Sequence, residues 1–257
     1  MFEKLFIKLF GMKFNGDNCV YDRYQWLDNM LSKTNDDLEL IDIGCGNGWA
    51  LFLASKKGYK ATGLSHDSDD IAKINTRSRV LGNDISLLEM DVSELKNVKP
   101  DNFDVLINME NIEHIKDDKQ MISDMSLILK ERGLVYFTTT NIFYKLEGDY
   151  GPFDLNRTDG GHVRKGYTHK WLKNEFEKNR LKVIYEGWIS GPFSLRLLSL
   201  NRKIPSILIK PTKLLLIPLT IISNFLDRVF FRNYIHSLSC CFILKRLAID
   251  ELPGYLL

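Results

Sequence analysis

The sequence offers little to a cysteine-based metal centre. Its four cysteines are Cys19, Cys45 and the adjacent pair Cys240 and Cys241, none at a ligand spacing, and the pair would face opposite sides of a strand. They read as reduced thiols, as in a cytosolic protein. Repeats and low-complexity segments are absent, and 44% hydrophobic with 26% charged residues leaves no compositional signature of disorder. A secretory leader is not expected either. MFEKLFIKLF is too short and too charged, no small-residue cleavage site follows, and Phe2, Leu5, Phe6 and Leu9 fall on one stripe of an amphipathic helix. The greasiest run, Ile204 to Leu226, is interrupted by Lys210, Pro211, Lys213 and Pro218. A mid-bilayer charge costs roughly 2.5 to 3.5 kcal/mol. A single crossing would also strand a later strand on the wrong side of the membrane.

Charge is unevenly spread. Residues 1–192 carry 26 Lys+Arg and 30 Asp+Glu, whereas residues 193–257 carry 9 and 3. The basic excess coincides with the apolar run, a pairing that suits lipid headgroups better than nucleic acid. No nucleic-acid partner is expected. The segment is expected to form helices that either cover an acceptor pocket or lie in a membrane interface, with Lys210, Lys213, Arg228 and Arg232 near lipid phosphates.

What the chain does have is LELIDIGCGNG at residues 38–48: a short apolar strand, Asp42 near its end, and Gly44, Gly46 and Gly48 in five positions. Such a loop turns with positive φ and lets backbone approach a ligand. A dinucleotide fingerprint needs its third glycine one residue later, where Trp49 stands, which argues against NAD and FAD.

Strand and helix patterns alternate after a helix at Tyr21–Ser32: strands at 38–43, 60–64, 85–90, 103–109 and 134–139, helices at 49–56, 70–81 and 119–130, with Gly133 expected as the C-cap of the last. Thr168 should cap another helix, followed by strands near Leu181–Trp188 and Ser237–Leu244. This rhythm predicts an α/β fold, a mostly parallel sheet covered on both faces.

The pattern D-x-G-x-G-x-G at 42–48 resembles motif I of the class I S-adenosylmethionine (SAM) dependent methyltransferases, and Glu110–Ile115 resembles the segment after strand four of small-molecule and quinone O-methyltransferases. The resemblance implies a Rossmann-like seven-stranded sheet, its last strand inserted antiparallel between the fifth and sixth, with SAM as cofactor. It divides the chain into an N-terminal helical cap (1–36), a SAM-binding core (37–191), a hydrophobic basic insertion (192–235) serving as lid or membrane-facing element, and a final strand and tail (236–257). It also implies a cofactor site made of Asp42, Gly44, Cys45, Gly46, Gly48, Ser65, His66, Asp91, Val92 and Met109. Asp91 would accept from the adenine amino group beside the Val92 amide, and Asp42 would orient the glycine loop and the amino end of SAM. At the ribose position, where the family carries an acid, this chain has Ser65, leaving His66 or Asp67 to reach the hydroxyls; alternatively Asp67 belongs to a helix-capping cluster.

For the chemistry, His114 is either a general base or a brace for the cofactor pocket. In the unusual run Asp159–Thr168, His162 and Arg164 are a candidate base and anion contact, or fix a tight glycine turn. Asp159, His162 and His169 lack helical i, i+4 pairing, so no metal site is expected. The expected function is methyl transfer to a hydroxyl of a small molecule, a glycan or a lipid-linked precursor, with a membrane surface as a second partner and a cytoplasmic location, at most peripheral at the inner membrane face. A noncatalytic SAM-fold subunit or membrane adaptor is the alternative, to which Ser65 points, and a nicotinamide oxidoreductase is the weaker one.

Overall fold

The computed structural model describes residues 18–146, 153–156, 160–203 and 206–251, with the backbone only for 206–215. The expected helix carrying Phe2 to Leu9 lies outside them. Helix α1 (Asn18–Met30) precedes the regular alternation β1 (Glu39–Ile43), α2 (Trp49–Lys56), β2 (Lys60–Ser65), α3 (Ser68–Leu81), β3 (Ile85–Glu89), β4 (Phe103–Met109), α4 (Asp118–Ile128) and β5 (Leu129–Thr140). There follow α5 (His169–Lys178), β6 (Leu181–Ile189), α6 (Pro192–Arg202), α7 (Ser206–Phe230) and β7 (Ser239–Arg246).

The seven strands form one sheet in the order β3-β2-β1-β4-β5-β7-β6, as the resemblance implied. β7 runs antiparallel to both neighbours and all other pairings are parallel. The carboxyl ends of β1, β2, β4 and β5 therefore open on one edge, where ligands bind in such sheets.

Each face of the sheet carries an apolar layer. Met121, Ile122, Met125, Leu172 and Phe176 from α4 and α5 pack on Phe137 and Phe242. Trp26 and Leu27 of α1 and Leu51 and Phe52 of α2 pack on Ile107 and Tyr136 on the other side. Cys240 joins the first layer and Cys241 the second, as strand alternation requires.

Two expectations are corrected. Helix α4 ends at Ile128 and β5 begins at once, so Gly133 lies inside the strand and caps nothing. A Cβ on Gly133 would approach Leu129 Cγ to 2.8 Å and the Lys130 carbonyl oxygen to 2.9 Å, and it is this crowding that calls for glycine. Helix α3 starts two residues earlier than its pattern suggested, because the Asp67 carboxylate accepts from the Asp69 amide at 2.8 Å and caps it.

The insertion between β6 and β7 is the helix pair α6 and α7. Asp227 of α7 accepts from the amides of Phe193 (3.0 Å) and Ser194 (2.9 Å), capping α6 from a distance, since its own N-cap residue is Gly191. Asn224 donates to one Asp22 oxygen and Ser190 to the other, both at 2.8 Å. These contacts tie the insertion to α1 and the end of β6. No described helix is long and apolar enough to cross a membrane.

Candidate active site

Strand β1 delivers the chain into Gly44, Gly46 and Gly48, whose φ values of 69, 48 and 79° lie in the left-handed region. The amides of Gly44 and Cys45 both reach the Leu64 carbonyl at 3.0 Å, which pulls the loop over the end of β2. The three glycines answer different demands. A Cβ on Gly44 would sit 2.6 Å from the side chain of Asn111, whose amide donates to the Ile43 carbonyl, and one on Gly48 would meet Ile74 at 2.8 Å. At Gly46 a Cβ would meet nothing within 4 Å, so this glycine faces open space.

Asp42 lies behind the loop, 3% exposed. Among the described residues no group donates to its carboxylate, and burial alone pushes its pKa up to about 8. A buried acid without a partner, beside a glycine that faces open space, fits a ligand with a cationic end. Cys45 is buried on the same loop, its thiol pushed up by burial and by the acids Asp42 and Asp70.

The remaining predicted cofactor residues line the same edge with unequal freedom. Ser65 is buried, and its hydroxyl accepts from the Asp67 amide at 3.1 Å. Asp67 is occupied as the cap of α3, whereas His66 is exposed. Asp91 caps the short 3-10 helix Val92–Asn97 in a capping box with Glu94, and its carboxyl is held down chiefly by the Ser93 hydroxyl and amide. Val92 is buried beneath it and Met109 closes β4 next to the loop.

Past β4 the chain turns through Glu110 with φ 50°. Burial pushes the Glu110 carboxyl up to about 7 against the pull of Arg23, 3.8 Å away on α1. Glu113 is fully buried, accepting from Thr139 at 2.9 Å and Thr140 at 2.7 Å, which ties the segment to the end of β5. His114 Nδ1 lies 2.9 Å from the Gly160 carbonyl oxygen, and its ring meets His162 edge-on with centroids 4.5 Å apart. A carbonyl only accepts, so Nδ1 carries the proton and the Nε2 lone pair of neutral His114 is left available.

The structure thus brings His114 and His162 together and engages Arg164 with the residues that follow His114. Its guanidinium is engaged by Asp118 at 2.5 Å, by the Lys116 carbonyl at 2.9 Å and by the Tyr167 hydroxyl. Through these contacts Arg164 pins the loop to the start of α4. Of the discounted trio, Asp159 lies outside the described residues, and His169 stacks on Trp188, centroids 4.0 Å apart, with Glu186 at 3.5 Å. Glu113, His114 and His162 instead place donor atoms within 4.8 Å of one another. Asn111, Glu113 and Asp22 were missed from the sequence as site-forming residues. Asn111 and Glu113 do lie in the Glu110–Ile115 segment that the resemblance singles out, Glu113 directly before His114.

A cavity of about 270 Å³ adjoins α1, walled by Trp26, Tyr185, Phe231, Arg228 and the Asp22–Asn224 pair. The insertion helices supply its outer side.

A glycine loop under open space, a buried acid behind it and polar groups gathered at the carboxyl ends of a 3-2-1-4-5-7-6 sheet define a class I SAM-dependent methyltransferase fold. The methyltransferase-domain family model matches residues 19–186, and the chain belongs to that family. A ubiquinone biosynthesis O-methyltransferase of Bartonella tribocorum (strain CIP 105476 / IBS 506) is 30% identical over 158 residues, covering 59% of this chain and 63% of that protein. The chain therefore matches less than two thirds of that relative's length. Among solved structures, an S-adenosylmethionine dependent methyltransferase from Mesorhizobium loti superposes with TM-score 0.59 at 17% identity, covering 91% of this chain and all of that one. The [4+2]-cyclase SpnF superposes with TM-score 0.60 at 14% identity over 89% of this chain and 82% of its own. The fold is thus shared with a protein named for different chemistry.

Proposed function

We propose that the protein transfers the methyl group of SAM to a hydroxyl of a small-molecule acceptor, with His114 as the base. The observation that supports this reading is the His114 hydrogen bond to the Gly160 carbonyl, which holds the imidazole tautomer whose Nε2 is the acceptor nitrogen, on the turn that follows β4. The O-methyltransferase name of the Bartonella relative supports oxygen as the methylated atom. The cofactor supplies a sulfonium-bound methyl that is already electrophilic. The chain's own residues would position and deprotonate: Asp42 would hold the cationic end of the cofactor, Gly46 would leave room for it, and Nε2 of His114 would take the proton of the acceptor hydroxyl. His162 packs against the base and limits its rotation. Acceptors carried on a glycan or a lipid remain within the same chemistry.

The test combines calorimetry and turnover. SAM and S-adenosylhomocysteine should both bind the full chain, and an acceptor screen over phenols, sugars and lipid-linked alcohols should give S-adenosylhomocysteine release that depends on His114. Binding of neither nucleoside would move the chain to the noncatalytic alternative.

A further inference from the structure

Helix α7 is amphipathic the wrong way round for a helix packed on a protein. Its buried residues between 216 and 230 are Thr220, Ser223, Asn224 and Asp227, at the i, i+3, i+4, i+7 spacing of a single face. The opposite face is apolar and open: Ile222 is 52% exposed, Phe225 61%, Val229 54% and Phe230 68%. Polar groups satisfied by Asp22 and the start of α6 hold the helix down, so the apolar side is what it presents. A contiguous exposed apolar face of this kind marks an interaction surface.

Charge identifies the occupant. Residues 192–235 contain seven Lys and Arg but one acid, Asp227, and that acid is buried as the cap of α6. Arg228 lies exposed at the border of the apolar face, and the sequence of the same helix holds two further cations, Lys210 and Lys213. Arg196, Arg202 and Lys203 on or just after α6 are exposed too. A second copy would set this cationic border against its like, whereas an anionic surface is attracted to it. We infer that α7 docks its Ile222, Phe225 and Val229 face on an anionic lipid bilayer, lying in the interface with cations at the headgroup phosphates.

The inference goes beyond methyl transfer and does not rest on it, because calorimetry with SAM reads the cofactor site separately. Co-flotation of the full chain with vesicles of phosphatidylcholine, alone or mixed with phosphatidylglycerol, tests it. Binding is expected to the mixed vesicles at low salt, to fall at high salt, and to be about tenfold weaker on phosphatidylcholine alone. Ile222→Gln with Phe225→Gln should lower the bound fraction by about tenfold or more at unchanged melting temperature and SAM affinity. Should that variant misfold, Lys210→Gln with Arg228→Gln keeps the apolar face and should still abolish the preference for phosphatidylglycerol. Absence of flotation on mixed vesicles at low salt overturns the inference. A solution dimer that Ile222→Gln with Phe225→Gln converts to monomer also overturns it, assigning the face to a second copy.

Discussion

Gly46, Asp42 and His114 carry the proposed site, and each has a separable signature. Gly46→Val places a branched Cβ at φ 48° in the open space the ligand needs, so SAM binding should fall below detection by calorimetry while circular dichroism is unchanged. Retained affinity with an intact fold would remove the glycine loop from the site. Asp42 behaves differently. With its pKa raised to about 8, the carboxyl is mostly neutral at pH 6, and a cationic ligand must ionise it. SAM affinity should therefore increase from pH 6 to pH 8, and calorimetry in two buffers of different ionisation enthalpy should register a released proton. Asp42→Asn should flatten that dependence. For the base, His114→Ala should lower kcat by about 10² to 10⁴. His162→Ala should have a smaller effect, and equal small losses from both would leave positioning alone as the source of rate. The glycine spacing and the Glu110–Ile115 segment made these positions readable in sequence. What sequence could not supply was the carbonyl of Gly160, 46 residues beyond His114, which sets the His114 tautomer.

At the scale of elements, periodicity found β1 to β7 and most helices, because both faces of the sheet are buried and each segment carries its own apolar pattern. It went wrong where local chemistry competes. Gly133 reads as a helix terminus, yet Arg132 ahead of it adopts φ 64° and the strand pairing resumes at Leu134 opposite Val105. Helix α7 exposes another limit. Its apolar residues suggested burial and its lysines suggested lipid, and only tertiary contacts show that the polar stripe is the buried one. Where a local signal was unambiguous it held: Thr168 caps α5, accepting from the Trp171 amide at 3.1 Å. Thr168→Ala should lower stability by about 1 kcal/mol in denaturant unfolding, without changing SAM affinity.

Across the whole molecule, four acids with raised pKa values, Asp22, Asp42, Glu110 and Asp227, bias the fold toward acid over neutral conditions. Burial lifts Asp22 to about 6, Glu110 to about 7 and Asp42 to about 8. In each case the folded state holds its proton to higher pH than the unfolded chain does. The stabilisation is complete below the unfolded values near 4 and is lost as pH rises through the folded ones. The thermal midpoint of the ligand-free protein should decline between pH 5 and pH 8. Asp22→Asn should remove the earliest part of that decline, because the amide has no charge to bury and can still accept from Asn224 or Ser190. A midpoint that climbs over this range would show that these carboxyls are solvated.

The placement of β7 sets an order of events during synthesis. β6 touches the rest of the sheet only through β7, and β7 begins 50 residues after β6 ends. As the chain leaves the ribosome, β1 to β5 can assemble with their helices while β6, α6 and α7 have emerged but have no sheet to join. The open flank of β5 in that nascent species offers Tyr136 to Thr140 to any extended strand until Ser239 to Ile243 arrive. A stalled or truncated chain lacking residues from Ser239 onward would expose both that flank and the apolar side of β6, making it a substrate for chaperones and proteases rather than a smaller folded protein.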